Sequence, residues 1–166
     1  MIIDVSQILK DSYAAIAVDG DIDDIPEDSF SGVKIALPVR ISGRITNNSG
    51  NLTLTAHVSC KAETVCARCL EAIELNIDFD IDEMLVQGND QETYSDVYTL
   101  EKDSVDLTEI VIDNIFMNTS GKYLCSEDCK GLCPKCGANL NKTECGCDND
   151  DIDPRWAALA EIMKNS

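Results

Sequence analysis

Ile73-Glu74-Leu75-Asn76-Ile77-Asp78-Phe79-Asp80-Ile81 alternates apolar and polar residues without a break. Successive side chains of a strand point to opposite faces. Ile73, Leu75, Ile77, Phe79 and Ile81 therefore share one side, and Glu74, Asn76, Asp78 and Asp80 the other. One face suits a core and the other water, the pattern of an antiparallel sheet wetted on one side. Working back along the chain, Leu52, Leu54, Ala56, Val58 and Cys60 keep the same period. Before them, Asn47-Asn48-Ser49-Gly50 reads as a tight turn, because Asn and Gly tolerate positive φ. Val33-Lys34-Ile35-Ala36-Leu37, then Val39, Ile41, Gly43 and Ile45, carry the alternation further upstream. The expected product is an antiparallel β-meander from about Phe30 to Leu85.

The flanks are less regular. The first 25 residues read as a lead-in, with a short helix starting over Ser6 to Lys10 and an acidic, turn-rich stretch at Asp19-Gly20-Asp21-Ile22-Asp23-Asp24. Beyond the meander, residues 86–96 read as a polar loop and Val97 to Leu100 as a short strand. Asp106 then stands as a helix N-cap, with Glu109 three residues later in capping-box position. The helix runs from Leu107 to about Met117, turns Leu107, Ile110, Val111, Asn114 and Ile115 inward, and is expected to lie across the sheet. After Gly121 the texture changes to Cys, Gly, Lys and Asn. The fold class is thus α+β: a sheet-plus-helix domain over 1–120, with a zinc-binding module over 121–166 docked on it. Within that module Asp148 to Asp153 read as an acidic linker, and Pro154-Arg155-Trp156 opens a closing helix to about Met163.

Composition narrows the functional classes. Of 166 residues 44% are hydrophobic but only 5% aromatic, so the core must rest on Ile, Leu and Val. Thirteen Lys and Arg against 31 Asp and Glu give a formal charge of −18. A surface lying broadly along nucleic acid needs clustered cations and is excluded. Such acidity keeps a protein soluble, or attracts a basic partner such as a ribosomal protein. Met1-Ile2-Ile3-Asp4-Val5 lacks the basic start and apolar run of a signal peptide, and no stretch approaches the roughly 18 to 20 apolar residues that cross a bilayer. A cytoplasmic protein is expected, or one of an organelle matrix. In a reducing compartment closely spaced cysteines point to metal or redox chemistry rather than disulfides.

Nine cysteines are present. Cys133-Pro134-Lys135-Cys136-Gly137, followed by Cys145-Gly146-Cys147, is the strongest motif. A Cys-x2-Cys turn presents two sulfurs to a tetrahedral ion at about 2.3 Å, and Gly after the second Cys suits the bend. A second close pair completes four ligands, and Zn2+ supplies a structural clamp without redox chemistry. Free thiols are the alternative, but six cysteines between Cys125 and Cys147 in a polar segment have few hydrophobes to bury them. Cys66-Ala67-Arg68-Cys69 lies between two strands, away from the βαβ setting of a redox pair. It is read as sharing a second zinc with Cys125 and Cys129, clamping the tail to the sheet, although Cys129 can equally join the third cluster. Cys60 has core parity and reads as a buried thiol.

Catalytic signals are sparse. His57 is the only histidine and falls on the solvent face of its strand. No phosphate loop, nucleophile elbow or His-Glu-x-x-His helix is present. An all-cysteine zinc site is closed, whereas a catalytic one keeps an open position. Asp148-Asn149-Asp150-Asp151 lacks the Gly and terminal Glu of a calcium loop. The chain is expected not to be an enzyme, and no small-molecule substrate suggests itself.

Cys66-Ala67-Arg68-Cys69-Leu70-Glu71 after a strand, Asp106-Leu107 entering an apolar helix, the run Cys125 to Asn141 with Cys145-Gly146-Cys147 behind it, and Asp153-Pro154-Arg155-Trp156-Ala157-Ala158-Leu159 together resemble the YceD-like large ribosomal RNA subunit accumulation family. Asn118-Thr119-Ser120-Gly121 departs from the pattern, since relatives carry an apolar segment ending in Pro there. The resemblance implies a bacterial or organellar factor for 23S rRNA accumulation or processing and large-subunit assembly. Its partner would be the large-subunit precursor, through a ribosomal protein or 23S rRNA, with Arg68 and Lys135 as candidate contacts. The alternative is a zinc-dependent interaction or chaperone module for a basic client, and a nuclease is a distant third.

Overall fold

The computed structural model describes residues 1–26, 29–87, 97–119 and 121–147. The chain forms β1 (Ile2–Asp4), a 3-10 turn (Ile8–Lys10), β2 (Ala15–Ile22), β3 (Val33–Asn48), β4 (Asn51–Val65), β5 (Ala72–Gln87), β6 (Tyr98–Leu100), β7 (Ser104–Asp106) and α1 (Leu107–Asn118). A five-stranded sheet runs in the order β2-β3-β4-β5-β6, and β1 pairs with β7 in a separate ribbon. Among the described residues the architecture is therefore α+β, a mainly antiparallel sheet with one packed helix.

Alternation places the core as expected. Val39, Ile41 and Ile45 of β3, Leu54 and Val58 of β4, and Ile77 and Ile81 of β5 are buried on one face. Leu107, Ile110, Val111 and Ile115 of α1 join the same core, with Val5 and Ile8 from the N-terminal segment. Each large aliphatic side chain removed from water there contributes about 1.5–3 kcal/mol. The two-residue period survives an irregularity in β3, where pairing with β4 shifts between Ala36 and Arg40. The shift is an even number of residues, so the inward set stays inward. Pro38, which cannot donate to a ladder, sits inside that interruption.

The turn and the helix cap follow from local chemistry. Ser49 and Gly50 take positive φ in the β3–β4 hairpin loop. Asn47 instead is buried, donating Nδ2 to the Ile8 carbonyl at 2.6 Å and accepting at Oδ1 from the Gly50 amide at 2.7 Å. Asp106 caps α1 by accepting from the Thr108 amide at 2.9 Å. Asn114 is half-buried and donates to Glu83 Oε1 at 3.1 Å.

Two expectations need correction. The first 25 residues are not a lead-in: β2 is a full edge strand antiparallel to β3. The acidic stretch is its outer half, with Val18 and Ile22 buried while Asp19 and Asp21 face water. Arg40 of β3 pairs with both acids, at 3.3 Å to Asp21. Helix in the Ser6–Lys10 region is limited to the 3-10 turn. The short strand expected at Val97 to Leu100 is β6, which adds to β5 in parallel at the far edge of the sheet. Residues 88–96 of the polar loop, the acidic linker Asp148 to Asp153 and the closing helix from Pro154 lie outside the described residues.

Candidate metal centres

Two turns of one design present the paired cysteines. In Cys66-Ala67-Arg68-Cys69-Leu70-Glu71 the Leu70 amide donates to the Cys66 carbonyl at 2.9 Å, and the Cys66 amide to the Glu71 carbonyl at 2.8 Å. In Cys133-Pro134-Lys135-Cys136-Gly137-Ala138 the Gly137 amide donates to the Cys133 carbonyl at 2.8 Å, and the Cys133 amide to the Ala138 carbonyl at 2.8 Å. The residue after the second cysteine is left-handed in both, Leu70 at φ 60° and Gly137 at φ 74°. The bend aims amides at the first sulfur. The Arg68 amide lies 3.4 Å from Cys66 Sγ, and Cys133 Sγ accepts from the Cys136 and Lys135 amides.

The first knuckle caps the β4–β5 hairpin, whose last pair is Val65 with Ala72. The segment after α1 returns to it: the Ala67 amide donates to the Tyr123 carbonyl at 2.9 Å, and a turn closes from the Cys129 amide to the Ser126 carbonyl. This brings Cys69 Sγ to 3.5 Å from Cys125 Sγ, 56 positions apart in sequence, and Cys66 Sγ to 3.7 Å from Cys129 Sγ. All four sulfurs lie within 4.8 Å of one another, as do those of Cys133, Cys136, Cys145 and Cys147. Cys129 thus lies with the first set rather than the second. Cys66, Cys69, Cys129 and Cys133 are buried, Cys125 and Cys136 are exposed, and Cys145 and Cys147 fall between.

The donor sets fit a tetrahedral ion. Metal–sulfur bonds of about 2.3 Å place neighbouring sulfurs about 3.8 Å apart, close to the separations seen. They are far from the roughly 2.05 Å of a disulfide, and all nine cysteines are free. Charge makes the same point. Burial raises the Cys66 thiol, but amides of Cys69, Cys125 and Arg68 overcome it and bring it down to about 6. The Glu71 amide draws Cys69 down, yet burial and the sulfurs of Cys66, Cys125 and Cys129 outweigh it and push it up to about 12. In the second set the amides of Cys136 and Lys135 bring Cys133 down to about 6. Cys147 is pushed up to about 12, first by Cys136 and then by burial. Cys129 is drawn down as well, first by the Asn141 side chain. The thiolates favoured in each group oppose ionisation of their neighbours, and a bound dication removes that conflict. Either group can therefore hold a metal ion.

Other singled-out residues fall elsewhere. Cys60 is buried in the sheet core, where desolvation pushes its thiol up to about 11. His57 lies on the wet face between Asp80 at 2.8 Å and Asp78 at 3.3 Å. Arg68 Nη1 donates to the Cys129 carbonyl at 2.9 Å and the Glu127 carbonyl at 3.4 Å, so this side chain ties knuckle to tail. Lys135 takes the equivalent place in the second knuckle. Sequence reasoning missed three supports. Asn141 Nδ2 donates to Cys129 Sγ at 3.3 Å. Lys142 pairs with Glu71 across the two knuckles. Gly131, at φ +76°, packs where an added Cβ would stand 3.1 Å from the Arg68 carbonyl. Only Gly131 left a trace, as a glycine between two cysteine pairs.

A cavity of about 560 Å3 between α1 and β6, lined by Glu83, Tyr98, Glu109 and Asp113 among others, shares no residue with either cysteine group. No helix among the described residues is long and apolar enough to cross a membrane.

A protein-family model described as Large ribosomal RNA subunit accumulation protein YceD matches residues 54–163. A Mycobacterium tuberculosis protein described as uncharacterized is 31% identical over 124 residues, 72% of this chain and 59% of that protein. The chain thus spans about three-fifths of the length of that mycobacterial relative. A chloroplastic Arabidopsis thaliana protein, named Large ribosomal RNA subunit accumulation protein YCED homolog 1, is 24% identical over 183 residues, covering 92% of this chain and 54% of its own length. YlbN of Bacillus subtilis, also described as uncharacterized, is 26% identical over 136 residues, 81% of this chain and 79% of that protein. No solved structure matches.

Proposed function

We infer, because this chain belongs to the YceD family of large ribosomal RNA subunit accumulation proteins, that it supports 23S rRNA accumulation or processing during assembly of the large ribosomal subunit. The observation that carries this is the family match itself, which runs from Leu54 near the start of β4 through both cysteine groups. The role proposed is non-enzymatic. Four thiolates fill the positions of a tetrahedral ion and leave none for a reacting water. The groups are read as structural zinc sites: Cys66, Cys69, Cys125 and Cys129 clamp the tail to the β4–β5 hairpin, and Cys133, Cys136, Cys145 and Cys147 fold the tail's own loop. Zinc supplies binding energy that the apo tail, with few apolar contacts, lacks. The setting proposed is the cytoplasm, and the partner is the large-subunit precursor.

Depletion of the protein tests this through the ratio of 23S to 16S rRNA. A selective fall in 23S is expected, and an unchanged ratio overturns the role. A second reading, a binding module for a basic ribosomal protein, is favoured by the formal charge of −18. The exposed Asp78, Asp80 and Asp82 along β5 point the same way. Salt-sensitive binding to a purified ribosomal protein, with none to naked rRNA, selects it over direct RNA contact.

A further inference from the structure

The two cysteine groups meet at one side chain. Asn141 belongs to the loop between Cys136 and Cys145 of the second group, yet its Nδ2 lies 3.3 Å from Cys129 Sγ of the first. Its Oδ1 accepts from the Lys130 amide at 2.8 Å, which settles the orientation of the side-chain amide and leaves the NH2 facing sulfur. Asn139 Oδ1 holds it from behind, accepting from the Asn141 amide at 2.9 Å and from Nδ2 at 3.0 Å.

The covalent connector is equally constrained. Cys129 and Cys133 are joined through Lys130-Gly131-Leu132. The Leu132 amide donates to the Arg68 carbonyl of the first knuckle at 3.1 Å, while the Gly131 carbonyl accepts from the Leu140 amide of the second group's loop at 2.9 Å. The same three residues thus brace one knuckle on one side and the other group's loop on the other. A shift in either is felt by both.

We propose that the two groups form one coupled metal unit, in which Asn141, positioned by the second group's ion, hydrogen-bonds the Cys129 ligand of the first so that each ion raises affinity for the other. This rests on the reading of both groups as metal sites. An N–H aimed at a ligating thiolate orients the sulfur and offsets its charge, and loss of such a partner lowers metal affinity about 10- to 100-fold. The loop carrying Asn141 rests on the connector through the Leu140–Gly131 and Lys130–Asn141 hydrogen bonds, and both its ends are ligands of the second group, so an ion on Cys133, Cys136, Cys145 and Cys147 completes the frame that fixes where Asn141 stands. Linkage makes the effect reciprocal: the factor by which the second ion tightens the first equals the reverse factor.

The test uses the full chain and the metals alone. Cobalt(II) charge-transfer bands count filled thiolate sites, and zinc competition against a chromophoric chelator gives the affinities. Cys145→Ser with Cys147→Ser leaves one ion, in the first group, bound about tenfold more weakly than in the intact chain. Asn141→Asp keeps the acceptor for Lys130 but loses the donor. It is expected to weaken the first site at least as much with the second filled, and to add little in the double-serine background. Because Asn141 is exposed and no ligand, this variant probes coupling even if the serine variants fold poorly. A first site equally tight with and without a competent second group, or unmoved by Asn141→Asp, overturns the coupling alone. An intact chain that takes neither cobalt nor zinc overturns the metal reading and the coupling with it.

Discussion

The two knuckles share a backbone and differ in what surrounds it. Both close an amide from the residue after the second cysteine onto the first cysteine's carbonyl, and both need a left-handed residue there. The second places Gly137 at that position; the first places Leu70, an exposed side chain in a conformation that costs a non-glycine residue about 1–2 kcal/mol. The first can bear this because it caps two of the longest strands in the sheet, whose pairing already sets its ends. The second has no such frame and relies on its own loop, a single bridge between Leu132 and Asn139, and the connector. A turn imposed by a sheet tolerates the wrong residue, whereas a turn that must form locally needs the right one.

The largest effect expected from this contrast is at the ligands. Cys66→Ser leaves an orphan in a fully buried position that joins hairpin to tail. It should lower global stability by more than about 4 kcal/mol, the range of metal loss from a folded site. Cys136→Ser, at an exposed position, should release residues 133–147 and, through a first site bound about tenfold more weakly, cost only about 1.4 kcal/mol of global stability. Calorimetry of the metal-loaded chain with amide exchange separates the two; equal losses would break the contrast.

Backbone substitutions sharpen it. Gly131→Ala combines a left-handed φ with a Cβ only 3.1 Å from a main-chain carbonyl that the sheet holds in place, so neither side can yield cheaply. About 2 kcal/mol of destabilisation is expected in thermal unfolding of the metal-loaded chain. Gly137→Leu meets open space and should cost only the conformational term, about 1 kcal/mol. Leu70→Gly should gain less than that in the opposite direction, because glycine also raises the entropy of the unfolded chain. If Leu70→Gly destabilised, the exposed leucine would be holding something beyond the turn.

The same reasoning explains what could be read from sequence. In β3, β4 and β5, uninterrupted alternation settles both strand and face, and the Asp106 cap with Leu107, Ile110, Val111 and Ile115 settles α1. Spacing likewise marked all eight clustered cysteines, since close pairs are local features. β2 was hidden because Asp19, Gly20 and Asp21 have weak strand preference, and the strand exists through pairing with β3 and the hold of Arg40 on its acids. The β1–β7 ribbon joins segments too short to signal alone, and a strand as short as β6 does not signal its parallel pairing. The equivalence of the two knuckles was masked by Leu70, which replaces the glycine that betrays such a turn. Asn141 and the Glu71–Lys142 pair depend on how two distant turns are set side by side, which no local spacing encodes.

The smallest effect concerns that last pair. Glu71 belongs to the first knuckle and Lys142 to the loop of the second, and their charges bridge the two. Lys142 is largely exposed, so water and salt screen the attraction and the ordering of a long side chain opposes it. Lys142→Met should therefore lower the melting temperature of the metal-loaded chain only slightly at low salt, and not at all once the Debye length falls to about 3 Å near 1 M. The variant should leave zinc affinity of both groups essentially intact, in contrast to Asn141→Asp, which acts on a ligand sulfur directly. A Lys142→Met loss that persisted in high salt would show that the aliphatic stem, rather than the charge, packs the two knuckles together. The seam between them would then be a small apolar interface as well as a polar one.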